Sequence, residues 1–419
     1  MKKISAVLLV LVLVGSVAFA GFTGSATTSF GYNLDSGAYG FLSNGTAVSV
    51  DVVFLSEIGE AKGDGDVYAS IKATLDFSFD NGDASDLSDA DSMIIGANLD
   101  FDHAKIIGDN WYVGILGTLV APNFATSVIE ATDVAAAAHP LGYAVDDDSQ
   151  AVDLRPRDYV TQNGLGVEVG IADFVASLGF TGNTKTEVYN LFATVATPEL
   201  ELAEGVTAKV GAAALISDAK NAFSGSVKVA YADDDLAVSV ASDMIYDAEF
   251  MTDVALAASY TDYSLDVYFA TDANRGGYTN QENLLSAKVA AAIDPVTVTL
   301  TGKNLLDGDN GQALGLSVKF DATDELAVTA RGGFKMSDKS WNGGADVVYT
   351  TDEFVAKLGG TYYSTERIAL NASIETESIV PGATLKLAYA GDDLTEADLG
   401  PTRDNGNLGK VVASVKIAF

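Results

Sequence analysis

The sequence predicts an all-β fold, a transmembrane antiparallel up-and-down β-barrel with an even strand number of about 18–22. Three observations carry that expectation. Apolar and polar residues alternate one by one along many segments of the chain. The segments run to about ten residues, longer than ordinary soluble strands of roughly five or six. Their connections alternate between short and long.

The first twenty residues, "MKKISAVLLVLVLVGSVAFA", lie outside that pattern. Lys2 and Lys3 give a positive start, Ile4 to Val14 an apolar run, and Ala18-Phe19-Ala20 a small-residue cleavage site. Residues 1–20 therefore read as a secretory signal peptide, with Gly21 as the mature start. Losing the two lysines moves the formal charge from −34 to −36. Such acidity argues against nucleic acid or anionic lipid as the main partner. The chain has no cysteine, which excludes thiolate metal sites and cysteine nucleophiles and agrees with export. Beyond residue 20 no stretch approaches the ~18 continuous apolar residues of a spanning helix. Yet 48% of residues are hydrophobic, and their placement has to be explained.

The placement is strand-like. In "VYASIKATLDFSF" (67–79), Val67, Ala69, Ile71, Ala73, Leu75, Phe77 and Phe79 share one phase, and Tyr68, Ser70, Lys72, Thr74, Asp76 and Ser78 the other. A two-residue period gives a strand one apolar and one polar face. The same reading fits Leu165 to Ile171, Phe174 to Phe180, Val206 to Ile216, Leu285 to Ile293, Val296 to Leu300, Leu326 to Ala330, Ile368 to Ile374 and Ala383 to Tyr389. Ten such residues rise roughly 33 Å, enough at the usual tilt to cross the ~25 Å apolar band of an outer membrane.

Short turns are expected near Ala172-Asp173, Asp233–Asp235, Thr261-Asp262, Asp294-Pro295, Asp321–Asp324 and Thr351–Glu353. Longer loops are expected at Met244–Met251, Asp272–Glu282, Leu305–Gly311, Met336–Ser340 and Gly391–Leu408. Bacterial barrels have short periplasmic turns and longer external loops. Counting back from Phe419 keeps this alternation in phase and gives about 22 strands. Segments such as Glu187–Thr197 could lower the number to 18 or 20. Aromatic residues on the apolar phase gather by the short turns: Phe101 and Trp111, Tyr260 and Tyr263, Tyr349 and Phe354. Amphipathic rings favour the lipid–water boundary.

The chain ends "KVVASVKIAF", with Val411, Ala413, Val415, Ile417 and Phe419 on one phase. This strand resembles the C-terminal signature of Gram-negative outer-membrane β-barrels. The resemblance implies a place in the bacterial outer membrane, with lipid around residues 21–419. It also implies recognition by the barrel-assembly machinery through Val415, Ile417 and Phe419.

A barrel of this width leaves a water-filled lumen unless a plug fills it, and strand-like sequence already starts at "GSATTSFGYN" (24–33). An open, porin-like channel for small hydrophilic solutes or ions is the function expected. The longest connection, Val120 to Asn163, counts as the third external loop. In general porins that loop folds inward and narrows the pore, and trimers are usual. The resemblance implies an inward loop and a homotrimer here. The loop lacks the Pro-Glu-Phe-Gly-Gly type of motif, so an exposed surface loop is the other reading. Within it, Thr126 or Ser127 could cap a helix over "SVIEATDVAAAA". Glu130, Asp133, Arg155 and Arg157 are its candidate constriction residues, the last two among only six arginines.

Lys209, Lys228, Lys288, Lys303, Lys319, Arg331, Lys357 and Lys386 share the polar phase and are candidate pore-lining residues. Asp76, Glu168, Asp253, Asp266, Asp346 and Glu375 share it too. Basic rings favour anions, and ion pairing with these carboxylates would cancel that preference. His103, in an inferred turn, and His139, in the long loop, have no spacing suited to zinc or a Ser-His pair, so no enzyme, metal or cofactor is expected. "GDGD" (63–66) and "DGDNG" (307–311) lack the spacing of an EF-hand loop. The competing reading is a surface antigen or adhesin that uses the barrel to display acidic loops.

Overall fold

The computed structural model describes residues 22–418 apart from 36, 38, 42–46, 56–66, 81–93, 127–160, 184–187, 219–220, 248, 272–282, 307–311, 337–338, 392–393 and 396–407. Residues 1–20 and Phe419 therefore lie outside the described residues. All regular structure within them is strand, in 24 segments. The chain divides into two compact units.

The first unit contains residues 1–109, 349–358 and 367–419. Its strands are β1 (Phe22–Asn33), β2 (Tyr39–Phe41), β3 (Ala47–Leu55), β4 (Tyr68–Asp80), β5 (Ile94–Ile107), β22 (Ile368–Thr376), β23 (Ala383–Gly391) and β24 (Lys410–Ala418). The second unit contains residues 110–348 and 359–366. Its strands begin with β6 (Trp111–Val120), β7 (Thr161–Ile171), β8 (Phe174–Asn183), β9 (Val188–Ala196), β10 (Leu200–Ala203), β11 (Val206–Ser217) and β12 (Asn221–Ala232). They continue through β13 (Leu236–Asp247), β14 (Glu249–Tyr260), β15 (Tyr263–Thr271), β16 (Asn283–Ile293), β17 (Val296–Lys303), β18 (Ala313–Asp321) and β19 (Leu326–Lys335). β20 (Trp341–Thr350) and β21 (Val355–Tyr363) are divided between the units, with 341–348 and 359–363 in the second and 349–350 and 355–358 in the first.

Every strand pairing with a described register is antiparallel, and nearly all join neighbours in the chain. Two short segments share a ladder position with a neighbour. β2 and β3 both lie along β1, Phe41 opposite Phe30 and Ala47 opposite Thr27. β9 and β10 both lie along β11, Ala196 opposite Gly211 and Leu200 opposite Ala208. Pro198 sits in the second break, where its missing N–H would interrupt any ladder. Among the described residues, the 24 segments thus fill 22 ladder positions. The first and last strands are themselves antiparallel neighbours, Ser25 opposite Ala418 through Asn33 opposite Lys410. In an up-and-down chain that pairing requires an even number of positions.

The side chains confirm the period. On β12 the odd residues Phe223, Val229 and Tyr231 are exposed, while Ala222, Ser224 and Ser226 are buried on the opposite face. Val210, Val240, Leu300, Leu316 and Leu387 are between 45% and 55% exposed. A face this apolar and this open needs lipid rather than water beside it. Phe250 and Tyr260, at the two ends of β14, are 64% and 58% exposed. Ten residues rise roughly 33 Å, or about 25 Å along the normal at a tilt of roughly 40°, the height of an outer-membrane apolar band. Trp341, at the start of β20, and Tyr362, near the end of β21, pack 5.7 Å apart, and Tyr349 and Phe354 pack 6.0 Å apart at a short turn.

Three expectations change. The stretch Met244–Met251 is a tight hairpin, because β13 runs to Asp247 and β14 starts at Glu249, with Tyr246 opposite Phe250. His103 lies inside β5, opposite Lys72, where one extra residue bulges the strand between Phe101 and His103. The turn comes later, at Gly108-Asp109-Asn110, so Trp111 flanks it and Phe101 does not.

A carboxylate latches the first unit beside the β1–β24 pairing. Asp35 accepts hydrogen bonds from the backbone N–H groups of Leu408 (2.8 Å) and Gly409 (3.2 Å). Leu34 N–H donates to the Gly409 carbonyl at 2.9 Å. Gly409 has φ +88°, and a β-carbon there would strike the Ala390 carbonyl, so no other residue fits easily. Asp35→Ala should weaken the pairing by about 1 kcal/mol, read as a lower urea midpoint for the folded protein. An unchanged midpoint would show the latch to be idle.

The Asp233 turn makes a second prediction. Its carboxylate accepts from the N–H of Leu236 (2.8 Å), the hydroxyl of Tyr231 (2.8 Å) and the N–H of Asp235 (3.0 Å). Leu236's N–H chiefly, then the other two, hold Asp233 below the usual carboxylate range. Because the folded pKa is the lower one, the turn's contribution is full above the unfolded value and is lost as pH falls through the folded one. Amide exchange at Leu236 should therefore speed up only at acid pH, relative to an Asp233→Asn variant.

Candidate functional site

The polar faces of β11–β14 hold a segment of chain. β6 carries a bulge between Leu116 and Thr118, which turns Leu119 onto the polar face, where it is 1% exposed. After Val120 the chain leaves the ladder, and Ala121–Thr126 ("APNFAT") lies against neighbouring strands. Leu119 and Ala121 join Phe192, Ala213, Leu215 and Ala222 in a buried apolar cluster. Burying each large member stabilises the seat by roughly 1.5–3 kcal/mol.

Polar contacts fix the register of this segment. Ser226 Oγ donates to the Pro122 carbonyl at 2.8 Å. Phe124 N–H is shared between both carboxylate oxygens of Asp243 at 3.1 Å, and Ala125 N–H donates to Asp243 Oδ2 at 2.8 Å. Asp243 and Ala125 are completely buried. Hydrogen bonds to a carboxylate are stronger than neutral ones, and a buried carboxylate without them would be costly. Gly211 leaves the room: a β-carbon there would occupy the place of Pro122's side chain. Asp243 faces Ser226 on one side and Asp253 on the other, and Tyr268 Oη donates to Asp253 Oδ2 at 2.9 Å.

Phe124 projects over the wall beyond the clamp, with Lys209 Nζ 5.1 Å from its ring centre, within cation–π range. Lys209 and Lys228 are directly opposite one another across β11 and β12. Together with Asn123, Phe124, Thr126 and Thr207 they line a cavity of about 260 Å³. A second, of about 150 Å³, lies between Phe124, Lys228, Asp266 and Tyr268.

The other candidate pore residues have different surroundings. Lys288 stands opposite Asp266, Lys319 meets Asp321 at 2.8 Å, Arg331 meets Asp346 at 3.1 Å, and Lys386 meets Glu375 at 3.7 Å. Lys303 is buried, 1% exposed, opposite Ala313. Lys357 is exposed on β21 in the first unit. Glu130, Asp133, Arg155, Arg157 and His139 lie outside the described residues. Val415 and Ile417 belong to β24, Val415 opposite Thr28 and Leu385.

Asp243 is the residue that sequence reasoning missed. Its phase, shared with Ser239 and Ala241, places it on the polar face. Its partners stand 118 and 119 residues away and are backbone groups, so no pattern of side chains announces it. Tyr112 of β6, opposite Gly170, lies on the polar face as well. Its hydroxyl donates to Glu168 at 2.7 Å, and Glu168 also accepts from Ser177 at 3.2 Å.

Because the chain lacks cysteine, Thr126→Cys offers a single spin-labelling position beyond the clamp. The label should be immobile in the otherwise native chain. Adding Asp243→Ala, which removes bonds worth about 3 kcal/mol together, should make it mobile with β12 and β13 unchanged by circular dichroism. Equal mobility in the two would show that the apolar seat alone holds the segment.

No family model matches the chain, and no curated protein does. Solved structures do. A ferric enterobactin receptor from Pseudomonas aeruginosa matches at 9% identity over 96% of this chain and 80% of its own, with a TM-score of 0.50. The siderophore receptor PirA from Acinetobacter baumannii matches at 9% identity over 95% and 80%, also at 0.50. A Rh. blastica porin matches at 8% identity over 95% and 99%, at a TM-score of 0.39. With the antiparallel ladder and the exposed apolar face, the two receptors identify the fold as that of an outer-membrane β-barrel.

Proposed function

We propose that the protein is a porin-like channel of the bacterial outer membrane, through which small hydrophilic solutes or ions diffuse passively. Residues 1–20 direct export, lipid covers the apolar face of residues 21–419, and β24 with Phe419 is read by the assembly machinery. In this reading the polar face surrounds water. The observation that carries it is the clamp. A segment of the long connection is held on the polar face by a buried carboxylate, which is how a pore would be narrowed from inside.

Charge along the wall is balanced over much of its area by the Lys288, Lys319, Arg331 and Lys386 pairs. Mutually paired charges exert little net field on a passing ion. Selectivity then concentrates where the wall carries unbalanced charge beside the clamped segment, at Lys209 and Lys228.

Single-channel recording tests the proposal. Purified protein in a planar bilayer with KCl should produce stepwise, ohmic conductance. Asp243→Ala should raise the open-channel noise or the mean step, because the narrowing segment is released. Folded protein that inserts and gives no steps would reject the channel. Identical traces from the variant would reject the narrowing role of the segment.

A further inference from the structure

The geometry points to a binding site for a small oxyanion at the Lys209–Lys228 pair; the inference rests on the channel reading above and gives it a ligand class. Two like charges directly opposite on one face of a strand pair repel, and such pairs are destabilising. Here the pair is kept, side by side at matched register positions. Among the described residues, neither ammonium has a carboxylate in ion-pair range, whereas Lys319, Arg331 and Lys386 do. Lys209 is offset in part by the Phe124 ring, and Lys228 is exposed to the cavity.

The cavity lining fits an anion. Glu199 is its one carboxylate, and its Oε1 accepts the Thr207 hydroxyl at 2.6 Å. Two cations against one carboxylate leave one positive charge in excess. Asn123 also lines the cavity, and its side-chain oxygen is buried with no hydrogen-bond partner among the described residues. The two ends of a carboxamide are interchangeable by rotation. A carboxamide in the lining carries N–H donors as well as a carbonyl, beside the two lysines that share the cavity. A ligand with several negative oxygens would satisfy all three groups at once, as chloride would not. Size agrees with that class. About 260 Å³ is below the ~300–1,000 Å³ of pockets for drug-sized ligands and has room for a phosphate-sized ion.

The site is built by the clamp, since Asn123, Phe124 and Thr126 meet the lysines where Asp243, Ser226 and the apolar seat hold the segment. Ligand binding and pore narrowing therefore share one set of residues.

Inorganic phosphate is the test ion. In detergent, the ³¹P line of phosphate should broaden saturably on adding the folded protein. The double substitution Lys209→Gln with Lys228→Gln should weaken the effect at least tenfold. Lys288→Gln, on the same face but paired with Asp266, should leave it unchanged. In bilayers, phosphate should reduce the KCl current of the native protein and spare the double variant. Broadening that is absent, or equal in the native and double-variant proteins, overturns the site even where KCl conducts. Loss of broadening in Lys288→Gln as well would show diffuse charge in place of a site. Broadening that follows the lysines, in a protein that passes no KCl, would keep the site and reject the channel.

Discussion

A strand in lipid has one place for its backbone N–H and C=O groups, the strand beside it. That constraint orders the rest of the molecule. Once the backbone is committed to antiparallel ladders, side chains can only point to one face or the other, and successive residues must differ in character. The exposed Val210, Val240 and Leu300 and the buried Ser224 and Ser226 are two consequences of the same rule. So is the pairing of β1 with β24, which leaves neither chain end with an open edge.

The constraint also explains why the polar face can carry chemistry. A backbone already satisfied in the ladder has nothing left for an incoming segment, so Ala121–Thr126 has to be met by side chains. Asp243 and Ser226 meet its polar groups, and Phe192 and Leu215 its apolar ones. The segment also needs depth, supplied at Gly211 by the absence of a side chain. Phe192, Leu215 and Gly211 depart from the alternation of polar groups, and with Asp243 and Ser226 they make a seat.

Much of this is written in the sequence. The two-residue period, the short turns at Ala172-Asp173 and Asp233–Asp235, and the even strand number follow from residue order alone, because they depend on neighbours one or two positions apart. Residues whose role is set across the sheet do not. Asp243 looks like any polar-phase residue until the backbone of Phe124 and Ala125 is placed on it. Phe192, Leu215, Ile245, Met251 and Leu284 look like lapses in the period, yet they form buried clusters on the polar face. The pairing of Arg331 with Asp346 depends on strand register, which the period does not specify. The bulge at Phe101–His103 hides for the same reason: one extra residue shifts the phase, and a turn is then inferred where a strand continues.

The central claim is that alternate residues of one strand face two solvents, lipid and water. Nitroxide scanning along β16, one cysteine at a time from Leu285 to Ala292, measures it directly in reconstituted membranes. Labels at 285, 287, 289 and 291 should relax with dissolved oxygen, and those at 288, 290 and 292 with a water-soluble nickel complex. Accessibility that does not alternate, or apolar positions shielded from both reagents, would contradict it.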